Sequence, residues 1–323
     1  MTNRTVLFHV GLPRAASTFL QRSVFPALDA AFLDIRVHPR SDATSVVHRG
    51  STTFLRCTDE ARAAIRAAGQ DVIVSSDGFL LGNTSERLFD FEERAKRLLD
   101  IWPSARILIV LRRQDDFCRS LYVTALKKAY PYPPARLLGL REREGPEVGR
   151  YFPHTILRLN EIVATYERLF GAENVLTLPY ELLREDPSQF IQDIVRFGNY
   201  RLDAEVSPAT VNRGLSRSGY AVARILNWSC FANRQSGQDA LAWLESRSAA
   251  SEFWRSVQRA LAATIAAQHR TIHRIIMQAN RFSRQAPHPL TSGERKQIMD
   301  YHAAGNRALS ERRKLTLERY GYF

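Results

Sequence analysis

The chain has 323 residues, 45% of them hydrophobic, enough to bury a sizeable core, and no Pro/Gly/Ser linker or low-complexity run divides it. Its net charge of +13 calls for an anionic partner: a polyanionic cofactor, an acidic acceptor such as a glycan or lipid head group, or nucleic acid. Zinc-finger spacing and an aromatic RNA-binding signature are absent, which argues against nucleic acid, and the three cysteines (Cys57, Cys118, Cys230) have neither metal nor redox spacing.

Along the chain, apolar runs read as strands near residues 4–10, 32–37, 71–75, 106–111 and 174–178, with helical periodicity between most of them. Start and stop signals frame helices from Thr58 to Gly69 and from Thr84 to Asp100. The stretch from Tyr130 to about Pro153 reads as long and irregular, either an acceptor-binding lid or a mobile insertion. Gly171 stops a helix, and Asp186-Pro187 opens the next one after the strand from Asn174 to Leu178. Beyond residue 216 the pattern is helical, with runs over 216–231 and 251–279 and a capping box at Thr291–Glu294. The aromatic Tyr320-Gly321-Tyr322-Phe323 is expected to dock on the body.

This alternation predicts an α/β fold: three αβα layers around a central parallel sheet of about five strands, P-loop NTPase-like, plus a helical C-terminal region. The expected organisation is a single domain, with an α/β nucleotide-binding core over 1–215 and a helical appendage over 216–323. The sequence enters its first strand without a charged leader, and no run reaches membrane-spanning length, so a cytoplasmic protein is expected. Peripheral contact with an anionic membrane stays open, although no single basic amphipathic helix requires it.

The first strand runs through Val10-Gly11-Leu12-Pro13-Arg14-Ala15-Ala16-Ser17-Thr18-Phe19 into a helix. A strand that ends where a helix begins leaves backbone N–H groups free to hold an oxyanion, or it is an ordinary βα junction. Against the triphosphate loop G-x-x-x-x-G-K-[ST], Ala16 stands for the second Gly and Ser17 for the Lys, while Arg14 carries the cation in mid-loop. With Ala at position 16, a negative φ is expected there. The fourth strand ends in Arg112 and Arg113 rather than in an acid that would hold Mg²⁺, which argues against an ATP-dependent kinase. Ser120 follows Arg112 by eight residues, two turns up the next helix. The third strand ends in Asp77, suited either to capping the next turn or to acting as a base. His38 and His48 are the alternative bases.

These segments, in this order, resemble the PAPS-dependent sulfotransferases, whose loop reads Pro-Lys-Thr/Ser-Gly-Thr-Thr. The resemblance implies transfer of the sulfuryl group of 3′-phosphoadenosine-5′-phosphosulfate (PAPS) to an acceptor hydroxyl, of a carbohydrate or glycolipid, with no metal. It implies that Pro13, Arg14, Ala15, Ala16, Ser17 and Thr18 grip the 5′-phosphosulfate and that Arg112 and Ser120 hold the 3′-phosphate. Phe19 takes the adenine-stacking position and Tyr180 the position that approaches the adenine, core packing being the other reading of both rings. Asp77 corresponds to the family's Glu, and Arg213 and Gly214 resemble its basic loop over the nucleotide. A non-catalytic nucleotide-binding protein on the same fold is the alternative.

Overall fold

Runs of β-branched and other apolar residues assemble a sheet whose C-terminal edge presents every charged residue singled out above in the loop, at position 77 and at position 112. The computed structural model describes residues 4–35, 51–69, 71–81, 91–127, 130, 132–141, 152–204, 206, 215–229, 271–281 and 288–323. Strands β1 (Val6–Val10), β2 (Ala31–Asp34), β3 (Val72–Ser76), β4 (Arg106–Leu111) and β5 (Val175–Pro179) form one sheet in the order β2-β3-β1-β4-β5, parallel throughout. The five expected strands are all present, and β4 has the bounds read from sequence.

Every residue of β1 and β3, and β4 from Ile107 onward, is buried. Because side chains alternate between faces, such unbroken burial requires cover on both sides of the sheet. Helices provide it. Among those flanking the sheet, α3 (Thr58–Ala68) packs on β2, α8 (Leu159–Phe170) on β4 and β5, and α10 (Pro187–Gly198) on β5. The register sets Val6 beside Val72 and Val10 beside Ser76, so β1 and β3 end together.

Local signals behave as the sequence implies. Asp186 caps α10, its Oδ1 accepting the Gln189 N–H at 2.9 Å. Thr291 and Glu294 form the reciprocal bonds of a capping box: Thr291 N–H donates to Glu294 Oε2 at 2.8 Å, and Glu294 N–H to Thr291 Oγ1 at 3.2 Å.

The chain divides into two compact units. The first, Met1–Phe117, His154–Val211 and Lys296–Phe323, contains the sheet, and of the region after residue 215 it takes the last part. The 22-residue helix Ser292–Arg313 leads into it, and Tyr322 is fully buried there. The second unit, Cys118–Pro153 and Asn212–Arg295, is helical among its described residues. It holds most of α6 (Gln114–Lys127) with α7 (Pro134–Leu138) and α11 (Arg217–Ser229). Asn227 pins it from within, donating to the carbonyls of Leu126 and Tyr130 at 2.8 and 3.3 Å.

The stretch expected to be irregular from residue 130 contains α7, with Pro134 in its first turn and Gly139 in the left-handed conformation (φ 66°) after its end. Those are the residues that open and close helices, so the proline-rich opening starts a helix rather than a loop. Residues 142–151 lie outside the described residues.

Candidate active site

The loop after β1 is built from its backbone outward. Gly11 N–H donates to the Ser76 carbonyl at 3.4 Å, continuing the β1–β3 ladder one step past the strand, and Ala15 N–H turns back to the Leu12 carbonyl at 3.1 Å. The chain then enters a short helix at Ser17–Phe19, which passes through a π-helical stretch, Leu20–Val24, and a 3₁₀ turn, Phe25–Ala27. The first N–H groups of such a segment have no intrahelical acceptor and carry the positive end of its dipole.

Two loop residues adopt left-handed backbone. Arg14 has φ 73° and Ala16 φ 61°, so the negative φ expected for Ala16 is corrected. The loop geometry overrides the residue's preference, at a cost of about 1–2 kcal/mol for a Cβ in that region. Strain of this kind persists where the surrounding structure fixes it, and it accumulates at ligand sites.

Three charged groups meet at the edge. Arg14 is solvent-exposed along its side chain, yet crowding by protein desolvates its guanidinium and lowers its pKa; Asp77 opposes that shift and Arg112 adds to it. Arg14, Asp77 and Arg112 are therefore electrostatic neighbours, drawn from the segments that follow β1, β3 and β4. Asp77 is exposed in the turn after β3. Beside it, Gly78 N–H donates to Ser76 Oγ at 3.1 Å, and a Cβ on Gly78 would meet Ser51 Oγ at 2.2 Å. A larger residue at position 78 would require the Ser51 side chain to move.

The two arginines at the end of β4 differ in their partners. Arg113 is neutralised: its Nε meets Asp115 Oδ1 at 2.6 Å and its Nη2 meets Asp116 Oδ2 at 3.3 Å. Arg112 makes no salt bridge among the described residues. Its Nη1 donates to the Arg14 carbonyl, its guanidinium sits 4.9 Å from the centre of the Tyr180 ring, and its Nε is buried without a partner among the described residues. Arg14 likewise forms no salt bridge among the described residues. The site thus sets two cations, free of ion pairs among the described residues, beside one exposed carboxylate, a charge pattern suited to a polyanion with a hydroxyl delivered next to it.

The remaining expected residues fall as follows. Ser17 and Phe19 are buried, Ala15 is fully buried, and Pro13 and Thr18 are half-buried. Ser17 Oγ has no partner among the described residues. Tyr180 opens the short helix α9 (Tyr180–Glu185) directly after β5. Ser120 lies on α6 in the part assigned to the second unit, its carbonyl accepting Thr124 Oγ1 at 3.0 Å. Arg213, Gly214, His38 and His48 lie outside the described residues. No group of three or more His, Cys, Asp or Glu side chains suited to a metal occurs among the described residues.

Sequence reading did not find the framework behind Arg112. Tyr322 Oη donates to Glu181 Oε2 at 2.8 Å, and Glu181 Oε1 accepts the Arg113 N–H at 3.3 Å. Gln114 and Asn306 face each other as a buried reciprocal amide pair at 2.8 and 3.1 Å, and Asn306 also donates to the Tyr322 carbonyl at 2.8 Å. The terminal aromatic segment thereby fixes the elements on which Arg112 and Tyr180 stand. The available signal was Gln114 itself, an amide directly after the two arginines that follow β4.

No protein-family model matches the sequence, and no curated protein matches it. Three solved structures similar to this chain are sulfotransferases. A sulfotransferase from Alicyclobacillus acidocaldarius is 18% identical, with 65% of this chain and 87% of that one covered at a TM-score of 0.45. The sulfotransferase domain from the curacin biosynthetic pathway is 13% identical, over 64% of this chain and 76% of that one, at 0.38. A mouse sulfotransferase complexed with PAP is 14% identical, over 64% of this chain and 61% of that one, at 0.32.

Proposed function

We propose that the protein is a sulfotransferase that moves the sulfuryl group of PAPS to a hydroxyl of a carbohydrate or glycolipid. The observation that carries this reading is the meeting of Arg14, Asp77 and Arg112 at one edge of the sheet, around a strained loop that leads into a helix. The basic balance of the whole chain suits an anionic donor and an acidic acceptor alike.

In this reading Asp77 takes the proton of the acceptor hydroxyl as its oxygen attacks sulfur. The new O–S bond forms while the S–O bond to the 5′-phosphate breaks in line, and the negative charge passes to the departing adenosine 3′,5′-bisphosphate. Arg14, Ser17, Thr18 and the N–H groups at the helix start stabilise that charge, as preorganised donors do at other developing anions. Arg112 takes the 3′-phosphate through a guanidinium already oriented by the Tyr180 ring. The buried Nε of Arg112 and the buried Oγ of Ser17, both without partners among the described residues, are the polar atoms that such an occupant would satisfy.

Calorimetric titration with adenosine 3′,5′-bisphosphate, and separately with ATP and Mg²⁺, tests the donor. Selective, metal-independent binding of the bisphosphate supports the reading and justifies an acceptor screen with PAPS; binding of ATP alone, or of neither, overturns it.

A further inference from the structure

Beneath the loop runs a buried polar chain that the reaction outlined above does not use. Gln21 Nε2 donates to Ser75 Oγ at 3.0 Å, and Ser75 Oγ lies 2.7 Å from His9 Nδ1. His9 and Ser75 are fully buried and Gln21 is 7% exposed. A serine hydroxyl has one proton to give, and Gln21 approaches it with an N–H. Among the described residues, His9 Nδ1 is the acceptor left for the Ser75 proton. The imidazole is neutral, because burial pushes its pKa down to about 3. With Nδ1 accepting, the ring's own proton resides on Nε2.

That N–H points to an unfilled role. His9 Nε2 and Ser17 Oγ are both buried without a partner among the described residues. A Cβ built on Gly11 would stand 2.7 Å from Ser17 Oγ and 3.3 Å from His9 Nε2, so the two atoms flank the bare face of one glycine. Gly11 does not have the positive φ that would by itself require glycine. What its missing Cβ provides is the open path between imidazole and hydroxyl.

We propose that His9 is a positioning residue of the oxyanion loop, its Nε2–H donating to Ser17 Oγ across Gly11 once an anion occupies the loop, so that the single Ser17 hydroxyl proton is directed at the anion. The relay then has one polarity from end to end: Gln21 N–H to Ser75, Ser75 O–H to His9 Nδ1, His9 Nε2–H to Ser17, and Ser17 O–H to the anion. It rests on the loop being an oxyanion site, and it adds a reason for a histidine inside an otherwise apolar strand. Ser17 acts as a fixed donor rather than as a rotor, which is the condition for stabilising charge without reorganisation.

The test reads the tautomer directly by nitrogen-15 NMR of the imidazole in the full-length protein, free and with adenosine 3′,5′-bisphosphate or inorganic phosphate added. The Nε2–H form is expected in the free protein, with its resonance moving on anion addition and failing to move in Gly11→Ala. Binding of the bisphosphate is expected to weaken about tenfold in His9→Phe, the order of one hydrogen bond, and to be partly rescued in His9→Gln, which restores an N–H at the same reach. An Nδ1–H tautomer in the free protein overturns the proposal. Calorimetric binding of the bisphosphate with no change at His9 overturns it too, while leaving the nucleotide reading intact. A shift with inorganic phosphate but no binding of the bisphosphate upholds the relay and removes the nucleotide reading, whereas no shift with either anion overturns the relay.

Discussion

Arg112 donates from Nη1 to the main-chain carbonyl of Arg14, so the guanidinium at the end of β4 also holds the loop at the end of β1. The same guanidinium lies 4.9 Å from the Tyr180 ring centre. One side chain therefore ties together three segments that leave the sheet at β1, β4 and β5. Arg112→Ala is expected to weaken binding of adenosine 3′,5′-bisphosphate by about 10- to 100-fold, the range for a charged hydrogen bond lost to a phosphate. Arg112→Lys keeps the charge but cannot both stack and reach the carbonyl, so it should recover only part of that affinity. Titration calorimetry of the three proteins decides; equal affinity in wild type and Arg112→Ala would remove Arg112 from the proposed nucleotide site.

In the proposed reaction Arg14 and Asp77 divide the chemical step between them, so their variants should separate binding from turnover. Losing Arg14 is expected to raise the barrier by ~3 kcal/mol, roughly a hundredfold in kcat, by analogy with loss of one oxyanion donor. Asp77→Asn keeps the size of the side chain but not its basicity, and should lower kcat by roughly 10²- to 10⁴-fold with bisphosphate affinity nearly unchanged. Sulfate transfer from PAPS, measured with any hydroxyl acceptor that the wild type accepts, checks both. Near wild-type turnover in Asp77→Asn would return the base to another residue.

The sheet was legible because a strand covered on both faces must be apolar at every position. The segments Val6–Val10, Val72–Ser76 and Arg106–Leu111 display such runs, with polar exceptions at His9, Ser75, Ser76 and the opening Arg106. The convergence of Arg14, Asp77 and Arg112 followed from parallel topology, which delivers the residues after successive strands to one edge. The sign of φ at Ala16 did not, because residue type argues for one sign and the loop's closure imposes the other. The Gln114–Asn306 pair spans 192 residues of sequence and joins two amides with no local signature. His9 was hidden for the opposite reason: a single histidine in an apolar run reads as core until the partner of each ring nitrogen is known.

Relief of strain in the loop gives a prediction of opposite sign to the others. Ala16 has φ 61°, where glycine is at ease and alanine is not. Ala16→Gly removes a cost of about 1–2 kcal/mol and adds back roughly half of it as unfolded-chain entropy, for a net stabilisation of about 0.5–1 kcal/mol. A rise in melting temperature of about 2 °C is expected by calorimetry. A fall would mean that the alanine methyl makes packing contacts worth more than the backbone strain.

Stability should decline on the acid side for a reason located in the first unit. His9 is fully buried and its pKa is lowered by that burial to about 3 from an ordinary value of 6.5. Between those two values the unfolded chain binds a proton that the folded protein refuses, so stability rises with pH across the window and is lost as pH falls through it. The His9 contribution to this slope reaches about 1.4 kcal/mol per pH unit. His302, lowered to about 4 by burial and by neighbouring His154, acts in the same direction between 6.5 and 4. Urea unfolding at pH 7.5 and pH 5 is expected to show a lower midpoint at pH 5, with the difference reduced in His9→Phe. A midpoint that stays level over this range would show that His9 is protonated as readily in the folded protein as in the unfolded chain, which contradicts a neutral imidazole sealed beneath the loop.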